Sequence, residues 1–167
     1  VTGVQTCALP IYAVSWFDWR QLDSQADLHR FCRELIAYRR RRDVVMDGES
    51  LCLAELLRRC AIQWHGVEPE QPDWGETSHS LALTMTSSGE RFRLCVMLNA
   101  WWQPLRFTLP PAAFGSELWR RWIDTGLPSP AEIVPWDQAV AVQQSHYVLR
   151  ERSVVVLIAA HASLQPA

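Results

Sequence analysis

The residues best able to do chemistry are thinly spread along this 167-residue chain. The five histidines form no metal-ligand spacing such as H-E-x-x-H, and neither G-x-S-x-G nor a phosphate-binding glycine loop occurs. His65 is interpreted as a structural histidine within a strand. Ser78, His79 and Ser80 are consecutive, but a nucleophile and its base are assembled by the fold, so adjacency is weak evidence. The residues therefore predict no catalytic residue, no metal site and no cofactor.

Carboxylates are equally sparse where they would be needed. Cleavage of a glycosidic bond requires two carboxyl groups that face each other across the sugar. Asp18, within SWFDW, is the acid most closely flanked by aromatic rings, and it supplies only half of such a pair. Asp73, within PDWGE, is interpreted as an aspartate that caps a turn.

Tryptophan is the one chemically unusual component, with nine residues. Indole rings most often fill cores, but exposed rings also stack on flat ligands such as sugars. A sugar-stacking surface would draw on Trp74, Trp101, Trp102 and Trp136. Burial of these rings would count against such a surface.

Composition limits the class of protein. Apolar residues make up 49% of the chain and the net charge is -2, which indicates a globular protein and argues against a nucleic-acid partner. The five cysteines are odd in number and include no C-x-x-C pair, so a reducing, cytoplasmic setting is expected. No apolar run approaches the ~18 residues of a membrane span, and no signal peptide is recognisable.

The elements that would position these residues are a helix followed by strands. Residues 24–42 form a predicted amphipathic helix capped by Ser24, and residues 51–59 a shorter one capped by Ser50. The apolar stripe of the first helix consists of Leu28, Phe31, Cys32, Leu35 and Ile36.

Strands are predicted from alternating or apolar runs at 61–67, 80–88, 91–100, 105–110, 118–124 and 146–159, with a hairpin turn at Ser88-Gly89. This order predicts a mainly β protein with an antiparallel β-sandwich. The first helix does not fit the sandwich by pattern and is expected to be the end of a different domain.

An ordered set of stretches resembles one family. WHGV (64–67), PDWGETSHSLA (72–82) and LNAWWQPL (98–105) are the most telling, together with SWFDW and LHRFCRELIAYRRR upstream and WRRWIDTGLPSP and RSVVVLI downstream. The set resembles the C-terminal part of bacterial glycogen debranching enzymes, the isoamylase-type members of the α-amylase superfamily.

The resemblance implies a fold and a division of the chain. Residues 13–45 would be the end of a (β/α)8 barrel, its last loop and helix, with the rest of the barrel missing. Residues 46–60 would be a connecting helix or linker, 61–160 a C-terminal β-sandwich, and 161–167 a tail. The stripe of the barrel helix would then be exposed in this chain, a patch that invites aggregation.

The resemblance also implies a function. The family hydrolyses α-1,6 branch points in glycogen and related glucans with retention, using an Asp nucleophile, a Glu acid/base and a second Asp from earlier barrel strands. None of those motifs is present, so this chain is expected to be inactive alone and to meet glycogen only through its parent. Trp16 and Trp19, by position, are candidates for substrate contacts. The alternatives are a freestanding glucan-binding module or a purely structural domain.

The first eleven residues fit none of these interpretations. VTGVQTCALPI (1–11) has no folding or targeting pattern and resembles the translation of a short-read sequencing adapter. We therefore expect residues 1–12 to be a sequencing artefact and its junction, with Tyr12 replacing an Asn that is typical of the family at this position. Such a segment is excluded from reasoning about the fold.

Overall fold

The computed structural model describes residues 18–40, 44–46, 49–87, 92–112 and 118–160. The expectations for residues 1–12, Trp16, the Ser88-Gly89 turn and the tail lie outside these residues. The described helices and strands are, in chain order, α1 (Gln21–Ser24), α2 (Ala26–Arg40), β1 (Val44–Met46), β2 (Glu49–Leu51), α3 (Leu53–Arg58), β3 (Ala61–His65), β4 (Ser80–Thr86), β5 (Phe92–Asn99), β6 (Leu105–Thr108), β7 (Arg120–Asp124), β8 (Val140–Ala141), β9 (His146–Leu149) and β10 (Ser153–Ala160).

Two antiparallel sheets form the body of the fold. The larger has six strands in the order β3-β4-β5-β10-β7-β8, and β6 pairs with β9 to form the smaller. Side chains of both sheets meet in one core, in which Phe107 of β6 and Leu149 of β9 pack with Met97 and Leu157 of the larger sheet. These four side chains are at most 1% exposed. The predicted antiparallel β-sandwich is confirmed.

The register of the central strands separates two faces of the large sheet. Val155, Leu157 and Ala159 of β10 point to the inner face, toward β6 and β9, because side chains alternate along a strand. Val156 and Ile158 point to the outer face. The apolar run of β10 has no polar alternation because the strand is covered on both sides.

The outer face is covered at one end by α2 and α3. Tyr38 of α2 lies among the rings of Trp122 and Trp136, with ring centroids 5.1 Å and 5.6 Å away. Arg30 forms a salt bridge with Glu132 in the loop after β7. Helix α2 therefore packs directly on the sandwich, through side chains that lie three to four residues apart. That the helix is the end of a different domain stays a prediction.

The apolar stripe of α2 is divided between two surfaces. Phe31 and Leu35 pack against the sandwich beside Tyr38. Leu28 and Ile36 remain 59% and 57% exposed. The predicted exposure of the whole stripe thus holds for one half only, because a helix rotates by about 100° per residue and the stripe is wide enough to offer two sides.

Both predicted helix caps are wrong. Ser24 is the last residue of α1, where its hydroxyl donates to the Gln21 carbonyl, and α2 begins only at Ala26. Ser50 belongs to β2, and α3 is preceded instead by Cys52, whose N–H donates to the Glu55 carboxylate at 2.9 Å.

None of the helices that the structure describes has the length and apolarity needed to span a membrane.

His65 is a buried structural histidine, as predicted. It is 2% exposed, and its Nδ1 accepts the N–H of Glu70 at 2.8 Å, which leaves the ring proton on Nε2, 3.0 Å from the Thr84 hydroxyl. Burial, followed by the charge of Arg93, lowers the pKa of His65 below 6.5. The ring is therefore neutral in the folded chain at neutral pH.

This network predicts a pH dependence of stability. Below about pH 6.5 the unfolded chain binds a proton at His65 before the folded chain does, so the contribution of His65 to the free energy of unfolding falls as the pH drops through 6.5 toward the lowered folded pKa. Urea unfolding of the wild type and of His65→Gln at several pH values measures it. The stability difference between the two proteins should shrink with falling pH; a constant difference would contradict the prediction.

Candidate functional site

A cleft of about 340 Å³ opens at the end of the outer face where β4 begins and β5 ends. Leu81 and Leu98, which are cross-strand partners, form its floor. Trp74 stands on one side, and the polar residues of the lining are Asp73, Ser78, His79 and Ser80. An apolar floor with a few polar groups around it is typical of a ligand site at the small end of the usual range of roughly 300–1,000 Å³.

The loop that carries Trp74 is held by contacts within the loop itself. The Asp73 carboxylate accepts the N–H of Gly75 at 2.9 Å, so Asp73 has the turn-capping role expected from the sequence. Gly66 allows the preceding segment to fold back, because a Cβ there would lie 2.2 Å from the Gln71 carbonyl oxygen. Trp74 is 65% exposed and meets the ring of Trp64 edge-on at 5.5 Å.

A second aromatic surface lies beside the cleft, in the loop after β5. The ring of His79 stacks on Trp101, with centroids 4.4 Å apart and planes inclined by 22°. Trp101 in turn stacks on Trp102, at 3.5 Å and 24°. Trp102 is 61% exposed, so a nearly parallel stack ends in an indole ring open to solvent.

Asn99 holds this second loop in place. Its Oδ1 accepts the N–H of Trp101 at 2.9 Å, and its Nδ2 donates to the carbonyls of Gln103 at 2.9 Å and Arg150 at 2.8 Å. The side chain is 2% exposed. Three directional bonds from a buried amide fix the position of the indole stack on the sheet.

The structure separates the tryptophans that the sequence singled out. Trp74 lines the cleft and Trp101 and Trp102 stack beside it, whereas Trp136 is partly buried and packs against the core cluster with Tyr38. Trp19 is 71% exposed in the turn before α1 and is not among the residues that line the cleft. The signal for the cleft was present in the sequence, because the stretches around Trp74 and around Trp101 were the two most characteristic of the resemblance.

Three acidic residues of the described chain make contacts that stabilise the structure. Asp18 pairs with Arg20 at 2.9 Å on an exposed turn, and hydrogen bonds from Arg20 lower the pKa of its carboxyl group, so it stays ionised. Buried Asp124 accepts the Tyr147 hydroxyl at 2.7 Å. Burial and this bond raise the pKa of Tyr147 to about 12. Glu132 binds Arg30 of α2.

Cysteines and histidines give no reactive or metal-binding centre within the described residues. Cys32, Cys52, Cys60 and Cys95 are free thiols. Burial raises the pKa of Cys95 to about 12, so its thiol stays protonated and unreactive. In the part of the chain that the structure describes, no three residues among His, Cys, Asp and Glu are placed to hold a metal ion.

Residues 63–161 match a family model described as "Isoamylase 1-3, C-terminal". The chain is similar to isoamylase 1, chloroplastic, of Oryza sativa subsp. japonica, with 32% identity over 124 residues, or 74% of this chain and 14% of that protein. It is similar to isoamylase SU1, chloroplastic, of Zea mays, with 31% identity over 140 residues, or 81% of this chain and 17% of that protein. The chain thus spans only 14–17% of these relatives.

A crystal structure of a MUTB mutant, from crystals soaked with trehalulose, is also similar. It has a TM-score of 0.36 and 18% identity, and it covers 58% of this chain and 14% of that chain. This likeness is too slight to bear on the fold.

Proposed function

This chain belongs to the isoamylase family, and we propose that it is the non-catalytic C-terminal part of a debranching enzyme. The parent enzyme hydrolyses α-1,6-glucosidic branch points in glycogen or related branched α-glucans, with retention. One observation carries the proposal: residues 63–161 match the C-terminal model of the family, while the relatives are several times longer than this chain. The catalytic acids therefore belong to the part of the enzyme that this chain lacks.

Helix α2 has apolar residues on two sides, which supports a parent enzyme in which the helix contacts both the sandwich and the barrel. One side of α2 packs on the sandwich through Phe31, Leu35 and Tyr38. On the other side Leu28, Cys32 and Ile36 are exposed and follow each other at intervals of four residues. We assign residues 13–45 to the end of the catalytic barrel, 46–60 to the connection and 61–160 to the sandwich domain. The exposed half of the stripe then packs against the neighbouring barrel elements.

In this arrangement the sandwich braces the last helix of the barrel. The cluster of Tyr38, Trp122 and Trp136 and the bond between Arg30 and Glu132 fix one side of the helix. The position of the barrel relative to the sandwich is then set by one rigid element. A brace of this kind contributes to the stability and alignment of the barrel without touching the reacting atoms.

The proposal predicts that the purified chain has no hydrolytic activity. Incubation with glycogen should release no reducing ends above the enzyme-free rate, because a single acid such as Asp18 cannot act as both acid/base and nucleophile. Rice isoamylase 1 serves as the positive control. Release of linear glucan chains by this chain alone would show that the catalytic machinery lies within these residues and would overturn the proposal.

The sequence of the source DNA tests whether this chain is part of a longer debranching enzyme. We propose that residues 1–11 are not encoded by the gene and that Tyr12 is a junction. Sequencing across the Tyr12 codon, with primers in the gene and upstream, should show an open frame that continues into a barrel, with Asn at position 12. Genomic DNA that encodes VTGVQTCALPI after a start signal would contradict this and favour a freestanding module.

We also propose a cytoplasmic, reducing setting for the parent. Its support is that the four described cysteines are free thiols, of which Cys32 is exposed and Cys52 and Cys60 are partly exposed. The printed names of the plant relatives place those proteins in the chloroplast. Branched α-glucan is the only partner that the proposed function requires.

A further inference from the structure

We propose that the cleft lined by Trp74 and His79, with the Trp101–Trp102 stack beside it, binds a linear α-1,4-linked glucosyl segment of a branched α-glucan. The identity of the sugar rests on the proposed function. The existence of a binding site rests on the geometry. The site lies within the sandwich, apart from any catalytic centre of the parent, and holds substrate rather than cleaving it.

The two exposed indoles provide the apolar contacts. A pyranose ring has C–H groups on its faces and hydroxyl groups around its edge, so its faces lie on aromatic rings while its edge accepts and donates hydrogen bonds. Trp74 and Trp102 are 65% and 61% exposed, which is unusual for so large an apolar side chain. Trp74 lines the cleft together with Leu81 and Leu98, and Trp102 lies beside the cleft, stacked on Trp101, which stacks in turn on the lining residue His79.

The lining also supplies partners for sugar hydroxyls. Asp73, Ser78 and Ser80 bring a carboxylate and two hydroxyl groups to the cleft. The Ser78 hydroxyl donates to the Ser80 carbonyl at 3.3 Å, and its oxygen lone pairs can still accept from a sugar. Mixed aromatic and small polar groups favour a carbohydrate over a purely apolar protein segment.

The site is rigid before any ligand arrives. The Asp73 carboxylate fixes the Trp74 turn, and Asn99 fixes the loop of Trp101 and Trp102 by three hydrogen bonds. The backbone of Ala100 further donates to the His79 carbonyl at 2.8 Å, which ties the two aromatic loops together. Binding to preformed rings avoids the entropic cost of ordering them.

The rival occupant of the cleft is the catalytic part of the parent. The contact of the sandwich with α2 lies at the other end of the same face, around Leu94. Leu98, in the cleft floor, is four residues further along β5, or about 13 Å at the rise of a strand. The cleft is therefore separate from the surface that already holds a barrel helix.

Titration of the ¹⁵N-labelled chain with maltoheptaose tests the proposal. The indole N–H signals of Trp74, Trp101 and Trp102 should shift together with a Kd of roughly 1 mM, while the signal of buried Trp122 stays in place. Trp74→Ala and Trp102→Ala should each weaken binding about tenfold, which is the factor that corresponds to the loss of one aromatic stack. Val148→Ala, at an exposed apolar position of β9, is the control and should bind as the wild type does.

Circular dichroism confirms that each variant is folded, and Trp74→Phe, which retains a smaller ring, replaces Trp74→Ala if the latter is not. Binding with the same affinity in both tryptophan variants would overturn the location, and equal binding of cellohexaose would overturn the α-glucan specificity. No shift with any sugar overturns the site itself. If the catalytic part of the parent, added without sugar, shifts the same indole N–H signals, the cleft is a contact between domains and the sugar-binding proposal is overturned. None of these results affects the debranching proposal, which is tested separately by incubating this chain with glycogen and by sequencing the source DNA.

Discussion

Replacing Tyr38 by alanine should lower the free energy of unfolding by about 3–4 kcal/mol, the cost typical of removing a buried aromatic ring. Tyr38 is 6% exposed and contacts both Trp122 and Trp136. Its hydroxyl also makes a long hydrogen bond, 3.5 Å, to the Val134 carbonyl. Loss of the ring leaves a cavity between α2 and the sheet, so α2 should detach from the sandwich. Urea unfolding followed by circular dichroism at 222 nm measures both the loss of stability and the early loss of helix.

Ile36→Ala is the matched control on the same helix. Ile36 is 57% exposed, so its truncation should change the free energy of unfolding by less than about 0.5 kcal/mol. Equal effects of the two substitutions would mean that α2 does not pack on the sandwich through Tyr38. In the full-length parent the order should change, because the exposed side of α2 is proposed to be buried there, and Ile36→Ala should then also destabilise.

Replacing Asn99 by alanine should cost about 3 kcal/mol and loosen the loop that carries the indole stack. The substitution removes the acceptor of the Trp101 N–H and the donor to the carbonyls of Gln103 and Arg150 in a partly buried place, although the Arg150 carbonyl still accepts the Ser153 hydroxyl at 2.7 Å. Each unsatisfied buried group costs about 1–3 kcal/mol, and partial access to water offsets part of the sum. Thermal unfolding measures the stability, and the indole N–H signals of Trp101 and Trp102 report the loop.

Asn99→Asp separates stability from loop position. Aspartate keeps an oxygen for the N–H of Trp101 but loses the two donated bonds, and it places a charge against two carbonyls. It should therefore be as unstable as the alanine variant, yet keep the Trp101 turn better ordered. Affinity for maltoheptaose should fall in Asn99→Ala by a larger factor than in Asn99→Asp. If both variants bind sugar as the wild type does, Asn99 has a structural role only.

Local patterns predicted most of the strands because each was covered on at least one side. The alternation through Leu81, Leu83 and Met85 fits β4, which the structure places at Ser80–Thr86, and the apolar run SVVVLIAA fits β10. The short strands β1, β2 and β8 were not predicted, since two or three residues carry no period that can be read. The predicted caps at Ser24 and Ser50 were wrong because Ser24 ends the short helix α1 and Ser50 lies in β2, and the residue type alone does not show where a helix begins.

Local patterns alone predict that this chain is mainly β, with an antiparallel sandwich behind an amphipathic helix, and that its characteristic stretches are those of an isoamylase C-terminal domain. These properties follow from periodicity and from the order of short motifs, both of which are local. The packing of the sheets and helices sets which tryptophans are exposed, how the stripe of α2 is divided, and that the loops before Trp74 and Trp101 contribute to one cleft. Those outcomes depend on the pairing of β4 with β5 and on which side of the sheet the helix covers, and contacts between distant segments leave no trace in the local pattern.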